Sequence, residues 1–152
     1  MATGSARTVI ARPPAEVWAA VADITRMGEW SPECIAGRWV DGAIGPAVGA
    51  RFEGDNVARI GGRTVKAWTT TSEVTACEPG SVFAFVAEGY TTWTYRFEPS
   101  GVDGTATTVT ETFEYEPTGA MGFVYERVLF RSKSMTKGMQ RTLDRVKTAL
   151  EA

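Results

Sequence analysis

The stretch from Val82 to Tyr115, VFAFVAEGYTTWTYRFEPSGVDGTATTVTETFEY, decides the fold of this chain. Runs of aromatic and β-branched residues predict strands at Val82–Glu88, Thr91–Glu98 and Thr105–Tyr115. Only a tight turn at Gly89-Tyr90 and one glycine-rich turn separate them. Because such short turns place successive strands side by side, the stretch predicts three neighbouring antiparallel strands.

The rest of the chain extends this sheet and then changes period. Four more strands are predicted at Ala6–Arg12, Ile35–Asp41, Ala50–Val57 and Thr64–Cys77. Two short helices are predicted after the first strand, one starting at Pro14 and one spanning Met27–Pro32. The only three leucines are Leu129, Leu143 and Leu150, and apolar residues at helical spacing predict one long helix over 121–151. The pattern predicts one α+β domain spanning residues 1–152.

The composition of the chain limits the kinds of catalysis and metal binding that are possible. The chain has 152 residues, 43% of them hydrophobic, a net charge of −2 and no histidine. Without histidine, Ser-His-Asp catalysis, Cys-His catalysis and His-containing metal sites are excluded, so neither a metal nor a cofactor is expected. The slightly acidic balance argues against a nucleic-acid partner.

Location is predicted from two further features. No apolar run is long enough to predict a membrane-spanning helix, and no charged-then-apolar leader predicts secretion. Cys34 and Cys77 are far apart in sequence and are interpreted as two small buried thiols. A cytoplasmic protein is therefore expected, as a monomer or homodimer with no integral membrane association.

Strand parity predicts which side chains share a face. One face of the sheet, turned toward the long helix, would be lined with aromatic residues. The aromatic residues that parity places on these faces include Phe52, Trp68, Phe85, Trp93, Tyr95 and Phe113.

Two polar residues, Glu111 and Asn56, interrupt this lining. A carboxylate on an apolar face must be paired, hydrated or shifted in pKa, so Glu111 is either at a wet sheet end or a polar group in a ligand cavity. Asn56 is either a backbone-capping amide near a bulge or a second polar group for a ligand. Both interpretations of both residues stay open.

The order of these motifs resembles the SRPBCC superfamily. The opening strand, Pro13-Pro14, Glu16-Val17-Trp18 and Trp30-Ser31-Pro32 are followed by Gly49–Asn56, Trp68 and the motifs from Trp93 through Glu111. This group includes START-related lipid-transfer domains, birch-pollen-allergen-like proteins and bacterial polyketide cyclases/dehydrases. The resemblance implies a helix-grip fold, in which a curved seven-stranded antiparallel sheet wraps a long C-terminal helix around a deep hydrophobic cavity.

Three functions are compatible with this resemblance, because fold alone does not choose among them. The first is a carrier that binds a lipid-like or polyketide-like small molecule, with Asn56 and Glu111 orienting its polar group. The residues expected to line its cavity are Trp39, Phe52, Trp68, Phe85, Trp93, Tyr95, Phe113 and Met139. The second is a cyclase or dehydratase with Glu111 as general acid or base and Tyr95 or Asn56 stabilising an enolate oxygen. The third is a protein-interaction module without a ligand.

Two other segments have alternative interpretations. The glycine-rich run 42–49 is either a plain connection or a mobile loop that flanks the cavity mouth. The C-terminal helix carries an excess of basic residues, which is either a solvated face or a surface for transient docking on an anionic membrane.

Overall fold

The computed structural model describes residues 2–115 and 122–152, and it describes side chains in these ranges except those of residues 2, 122–132 and 134. Seven strands form one curved antiparallel sheet. In chain order they are β1 (Ala2–Ile10), β2 (Cys34–Val40), β3 (Arg51–Ile60), β4 (Arg63–Glu78), β5 (Val82–Ala87), β6 (Thr91–Ser100) and β7 (Ala106–Tyr115). Their order across the sheet is β1-β7-β6-β5-β4-β3-β2. The predicted three-strand unit is therefore confirmed as β5-β6-β7.

Three helices accompany the sheet: α1 (Pro14–Ala22), α2 (Met27–Trp30) and α3 (Gly122–Glu151). Proline stands at the start of α1, where its missing N–H is not needed. The buried stripe of α3 runs through Met135, Met139, Leu143 and Val146. The helix-grip architecture is confirmed. The predicted first helical residue, Met121, lies outside the described residues, as does the side chain of Val128, which belongs to the apolar stripe predicted from the sequence.

The inner face of the sheet follows the predicted parity. In β7 every second residue from Thr107 to Tyr115 is buried, which places Glu111 on the inner face with Phe113. In β3, Phe52, Gly54 and Asn56 are buried. The alternation is confirmed in β7, where one face lies toward the interior and the other is more exposed.

Irregularities in pairing bend the sheet around α3. The register shifts between Cys34 and Ala36 in β2, between Ala58 and Arg59 in β3, and between Val74 and Ala76 in β4. Such shifts increase local twist and let strands curve. The core therefore lies between the concave face of the sheet, α1 and α3.

Candidate functional site

A cavity of about 1220 Å³ lies between the concave face of the sheet, α3 and the segment joining α2 to β2. Pockets that hold drug-sized ligands are roughly 300–1,000 Å³. The space is therefore large enough for a sizeable organic molecule. Exposed residues on its border, among them Arg59, Lys137, Arg141, Glu88 and Tyr90, show that it reaches the protein surface.

Eight of the ten side chains expected at the site border this cavity. They come from β3 to β7 and α3, and they are Phe52, Asn56, Trp68, Phe85, Trp93, Tyr95, Glu111 and Met139. These residues are distant in sequence, and antiparallel pairing with a common parity brings the strand residues onto one surface.

Two aromatic residues expected at the cavity wall, Trp39 and Phe113, do not border it. Trp39 lies on the edge strand β2 and packs edge-on against Phe52, with ring centroids 5.6 Å apart. The ring of Phe52 thus takes the wall position and Trp39 packs against it. Phe113 is fully buried between Trp93 and Tyr115, at centroid distances of 5.7 and 5.9 Å, and supports the wall.

Glu111 is a buried carboxyl group at the cavity. It is only 3% exposed, and its directly paired neighbour across the β6–β7 ladder is Tyr95. The Tyr95 hydroxyl acts on the carboxyl group so as to lower its pKa, and Oε1 has no hydrogen-bond partner among the described residues. An unpaired buried oxygen is costly, so this atom is available to a polar group inside the cavity.

Burial also sets the protonation of this pair. Loss of hydration raises the pKa of Glu111 to about 8, although the hydrogen bond from Tyr95 opposes that rise. The pKa of Tyr95 is raised well above its ordinary value, mainly by burial and also by the neighbouring Glu111. At neutral pH the site therefore holds a neutral carboxylic acid beside a neutral phenol.

Asn56 borders the cavity, but the sheet already uses its amide nitrogen. Nδ2 donates to the Gly54 carbonyl and to Thr70 Oγ1, both at 3.1 Å, and reaches the Trp68 carbonyl at 3.5 Å. These bonds favour the interpretation of Asn56 as an amide that ties β3 to β4. They fix its orientation at the cavity wall.

Further residues border the cavity that were not among the predicted site residues. Thr70 and Ser72 share the inner face of β4 with Trp68, so the same parity argument identifies them. Cys34 was interpreted as a buried thiol, and it is half-buried at the wall. Burial raises the pKa of Cys34, so its thiol stays protonated, with Sγ 3.3 Å from the Ala36 carbonyl.

The cationic side chains of the cavity border were also missed. Arg59 comes from β3, and Lys137, Arg141 and Arg145 come from α3. The spacing of four between the three helix residues was the available signal, because it places them on one face of a helix. Their position beside β3 depended on the tertiary fold.

The glycine-rich run 42–49 lies apart from this site. It borders a separate depression of about 380 Å³ between Asp41 and Arg51, and none of its residues borders the large cavity. The structure favours the interpretation as a plain connection.

Two searches of the described part of the chain gave negative results. Within residues 2–115 and 122–152, no cluster of three or more Cys, Asp or Glu side chains is arranged to hold a metal ion. No helix in the same ranges is long and apolar enough to cross a bilayer.

Sequence comparison identifies the family. The sequence profile of the family described as "Polyketide cyclase / dehydrase and lipid transport" matches residues 1–151. The chain belongs to this family, within the SRPBCC superfamily. No functionally curated protein matches the sequence.

Comparison with solved structures supports the same family and the same fold. A polyketide-cyclase-like protein of Corynebacterium glutamicum, solved by NMR, is 36% identical with a TM-score of 0.66, over 98% of this chain and 91% of that one. An AHSA1-like protein of Aeromonas hydrophila is 24% identical with a TM-score of 0.64, over 98% and 92% of the two chains. The di-domain ARO/CYC BexL from the BE-7585A biosynthetic pathway is 17% identical with a TM-score of 0.64, over 95% of this chain and 47% of BexL. The last two comparisons concern the fold alone.

Proposed function

We propose that residues 1–152 form a single domain that binds a hydrophobic small molecule, lipid-like or polyketide-like, in the cavity between the sheet and α3. The observation that carries the proposal is a cavity of about 1220 Å³ with aromatic walls and one unpartnered carboxyl oxygen, Glu111 Oε1. The family to which the chain belongs supports the same class of ligand.

Aromatic side chains supply the affinity in this proposal. Phe52, Phe85 and Trp93 present apolar surface to the cavity, and covering such surface stabilises a complex by about 25 cal/mol per Å². A ligand that removes water from several of these rings gains affinity without any directional bond.

Glu111 supplies selectivity in this proposal. At neutral pH the raised pKa of Glu111 leaves a proton on the carboxyl group, and Tyr95 lies directly opposite in the β6–β7 pairing. The neutral acid then donates a hydrogen bond to a carbonyl or hydroxyl oxygen of the ligand. A ligand with no polar atom at this position would leave Oε1 unsatisfied and bind more weakly.

An enzymatic role is a second candidate, and the Glu111–Tyr95 pair favours it. A carboxyl group protonated near neutral pH is suited to donate its proton to a leaving hydroxyl, which departs as water in a dehydration. The ionised form of Glu111 would first take the α-proton of the substrate, and Tyr95 would stabilise the negative charge on the resulting enolate oxygen. Glu111 would then give that proton to the leaving hydroxyl, so it acts first as general base and then as general acid. The interaction-module alternative is disfavoured by the size of the cavity.

Cytoplasmic location and the monomer or homodimer state remain predictions. Cys34 and Cys77 are both free thiols, and free thiols are typical of a reducing compartment.

A pair of variants on adjacent residues of β4 tests the cavity proposal. Thr70 borders the cavity, whereas Thr69 is exposed on the opposite face. Thr70→Trp places a bulky ring in the cavity and should weaken binding of the fluorescent probe 1-anilinonaphthalene-8-sulfonate, while Thr69→Trp should leave binding unchanged. Equal binding by both variants would show that the probe binds elsewhere and would contradict the proposal.

Glu111→Gln separates the carrier from the enzyme. Native mass spectrometry of protein purified from its own host identifies the mass of a co-purifying ligand, which is then supplied to wild type and variant. A carrier returns the compound unchanged in both cases. An enzyme converts it in the wild type, and the variant loses roughly 10²- to 10⁴-fold in turnover with little loss of binding.

A further inference from the structure

The β3–β4 hairpin projects from the body of the protein. Residues 59–67 are all exposed, so neither face of this two-stranded segment packs on the core. The turn is formed by Gly61 and Gly62, both with positive φ, and a Cβ atom built on either would meet no described atom within 4 Å. We call residues 59–66 the hairpin tip.

The hairpin tip combines exposed apolar side chains with positive charge. Ile60 is 72% exposed and Val65 is 58% exposed. Arg59, Arg63 and Lys66 are the charged residues of the segment, and there is no acidic residue from position 57 to position 72. In a chain with a net charge of −2, this segment is a local basic and apolar surface.

One end of the hairpin tip borders the cavity. Arg59 borders the cavity from β3, and Lys137 and Arg141 border it from α3. These three side chains are here called the basic rim. Among the described residues, no carboxylate forms an ion pair with any of the three.

The acidic groups beside the basic rim are engaged in other contacts. Glu88 borders the cavity and accepts a hydrogen bond from the Thr71 amide at 2.6 Å. Glu33 also borders the cavity and has an interaction partner of its own. The three cations of the basic rim can therefore interact with an anionic partner outside the protein.

We propose that the basic rim and the hairpin tip dock this protein on an anionic lipid bilayer. Basic side chains interact with anionic headgroups, and apolar side chains beside them enter the interface between headgroups and acyl chains. Exposed Ile60 and Val65 distinguish this surface from one suited to nucleic acid, which requires cations without apolar insertion. Docking in this orientation turns the basic rim of the cavity toward the bilayer.

Vesicle co-sedimentation of the full chain tests this proposal. The protein should pellet with vesicles of phosphatidylcholine and phosphatidylserine, and not with phosphatidylcholine alone. Added salt should weaken the binding, because ions screen exposed charges. Absence of binding to the phosphatidylserine vesicles at low salt would overturn the proposal.

Variants of the hairpin tip locate the binding surface. The double variant Arg63→Gln/Lys66→Gln should lower the partition coefficient by roughly tenfold or more, since each basic residue near an anionic surface is worth about a fivefold change. Ile60→Ser/Val65→Ser should also reduce binding. Ile44→Ser is the matched control, because Ile44 is 98% exposed but lies in the separate loop between β2 and β3. An equal loss in the control, or none in the tip variants, would overturn the assignment.

Two further measurements separate this proposal from its competitors. Thr70 borders the cavity but lies outside the hairpin tip, so Thr70→Trp should bind vesicles as the wild type does. The probe experiment therefore tests the cavity proposal and the vesicle experiment tests the docking proposal, each independently of the other. Sedimentation velocity compares wild type with Ile60→Ser/Val65→Ser, and both should have the same oligomeric state. A dimer that dissociates only in the variant would assign the tip to self-association and overturn bilayer docking.

Discussion

Glu111 is a carboxyl group buried away from the water that would normally hydrate it. The strand places it one step along the inner face from Phe113, and pairing places Tyr95 directly opposite. Among the described residues, Oε1 of this carboxyl group has no hydrogen-bond partner. Burial of the charged form costs more than one hydrogen bond returns, which is why the pKa of Glu111 rises to about 8.

The raised pKa of Glu111 predicts a pH-dependent stability. Between pH 4.5 and about 8 the folded protein keeps a proton that the unfolded chain has lost. The stabilisation is therefore complete below the unfolded pKa and is lost as pH rises toward the folded one. Thermal unfolding should show a melting temperature that falls across this interval in the wild type.

Glu111→Gln provides the control for this effect, because glutamine is similar in shape and does not titrate. Its melting temperature should change less than that of the wild type across the same interval. Parallel pH profiles for the two proteins would show that Glu111 does not set the dependence.

At the level of elements, the junction between α2 and β2 depends on a close backbone approach. A Cβ atom built on Gly28 would overlap the carbonyl oxygen of Ile35, and one built on Gly37 would overlap that of Ile24. Both obstacles are main-chain atoms, which cannot rotate away as a side chain does. Glycine at these two positions therefore allows α2 and the preceding turn to pack on β2, next to the cavity.

Gly28→Ala is expected to destabilise the protein for this reason. Forcing an extra carbon into a packed region costs typically 1–3 kcal/mol, so chemical denaturation should show a loss of about that size. Gly45→Ala is the matched control, since a Cβ atom there meets nothing within 4 Å among the described residues. The control should unfold like the wild type, and equal losses in the two variants would refute the packing explanation.

For the molecule as a whole, the cavity means that sheet and helix enclose space that side chains do not fill. The core that does pack lies around it and includes Phe83, Phe113 and Leu143. A cavity of this size in a chain of 152 residues forgoes contacts that a filled core would make. A bound ligand should restore part of that loss.

Ligand binding is accordingly expected to raise thermal stability. A compound that binds only the folded state stabilises it by about 2.7 kcal/mol at one hundred times its dissociation constant. Differential scanning calorimetry with a co-purified ligand should show a higher melting temperature for the wild type and for Thr69→Trp. Thr70→Trp, with a bulky ring inserted into the cavity, should show a smaller shift; a shift equal to that of the wild type would place the ligand elsewhere.

The strand positions, their antiparallel order and the inner face were predictable because they depend on local patterns. Alternation in β7 placed Glu111 among buried residues, and short turns fixed which of the later strands are neighbours. Helical spacing in α3 predicted the buried stripe that contains Met139. Each pattern operates within a few residues, where side-chain periodicity is set by backbone geometry.

The sequence alone therefore determined the sheet, the closing helix and the face on which the polar pair lies. Only the tertiary structure decided that Trp39 and Phe113 support the cavity wall instead of forming it, and that cations of β3 and α3 border the same cavity. These features depend on the distance between elements far apart in the chain. That distance is set by the bends in the sheet and the close packing of α2 on β2, which no local periodicity encodes.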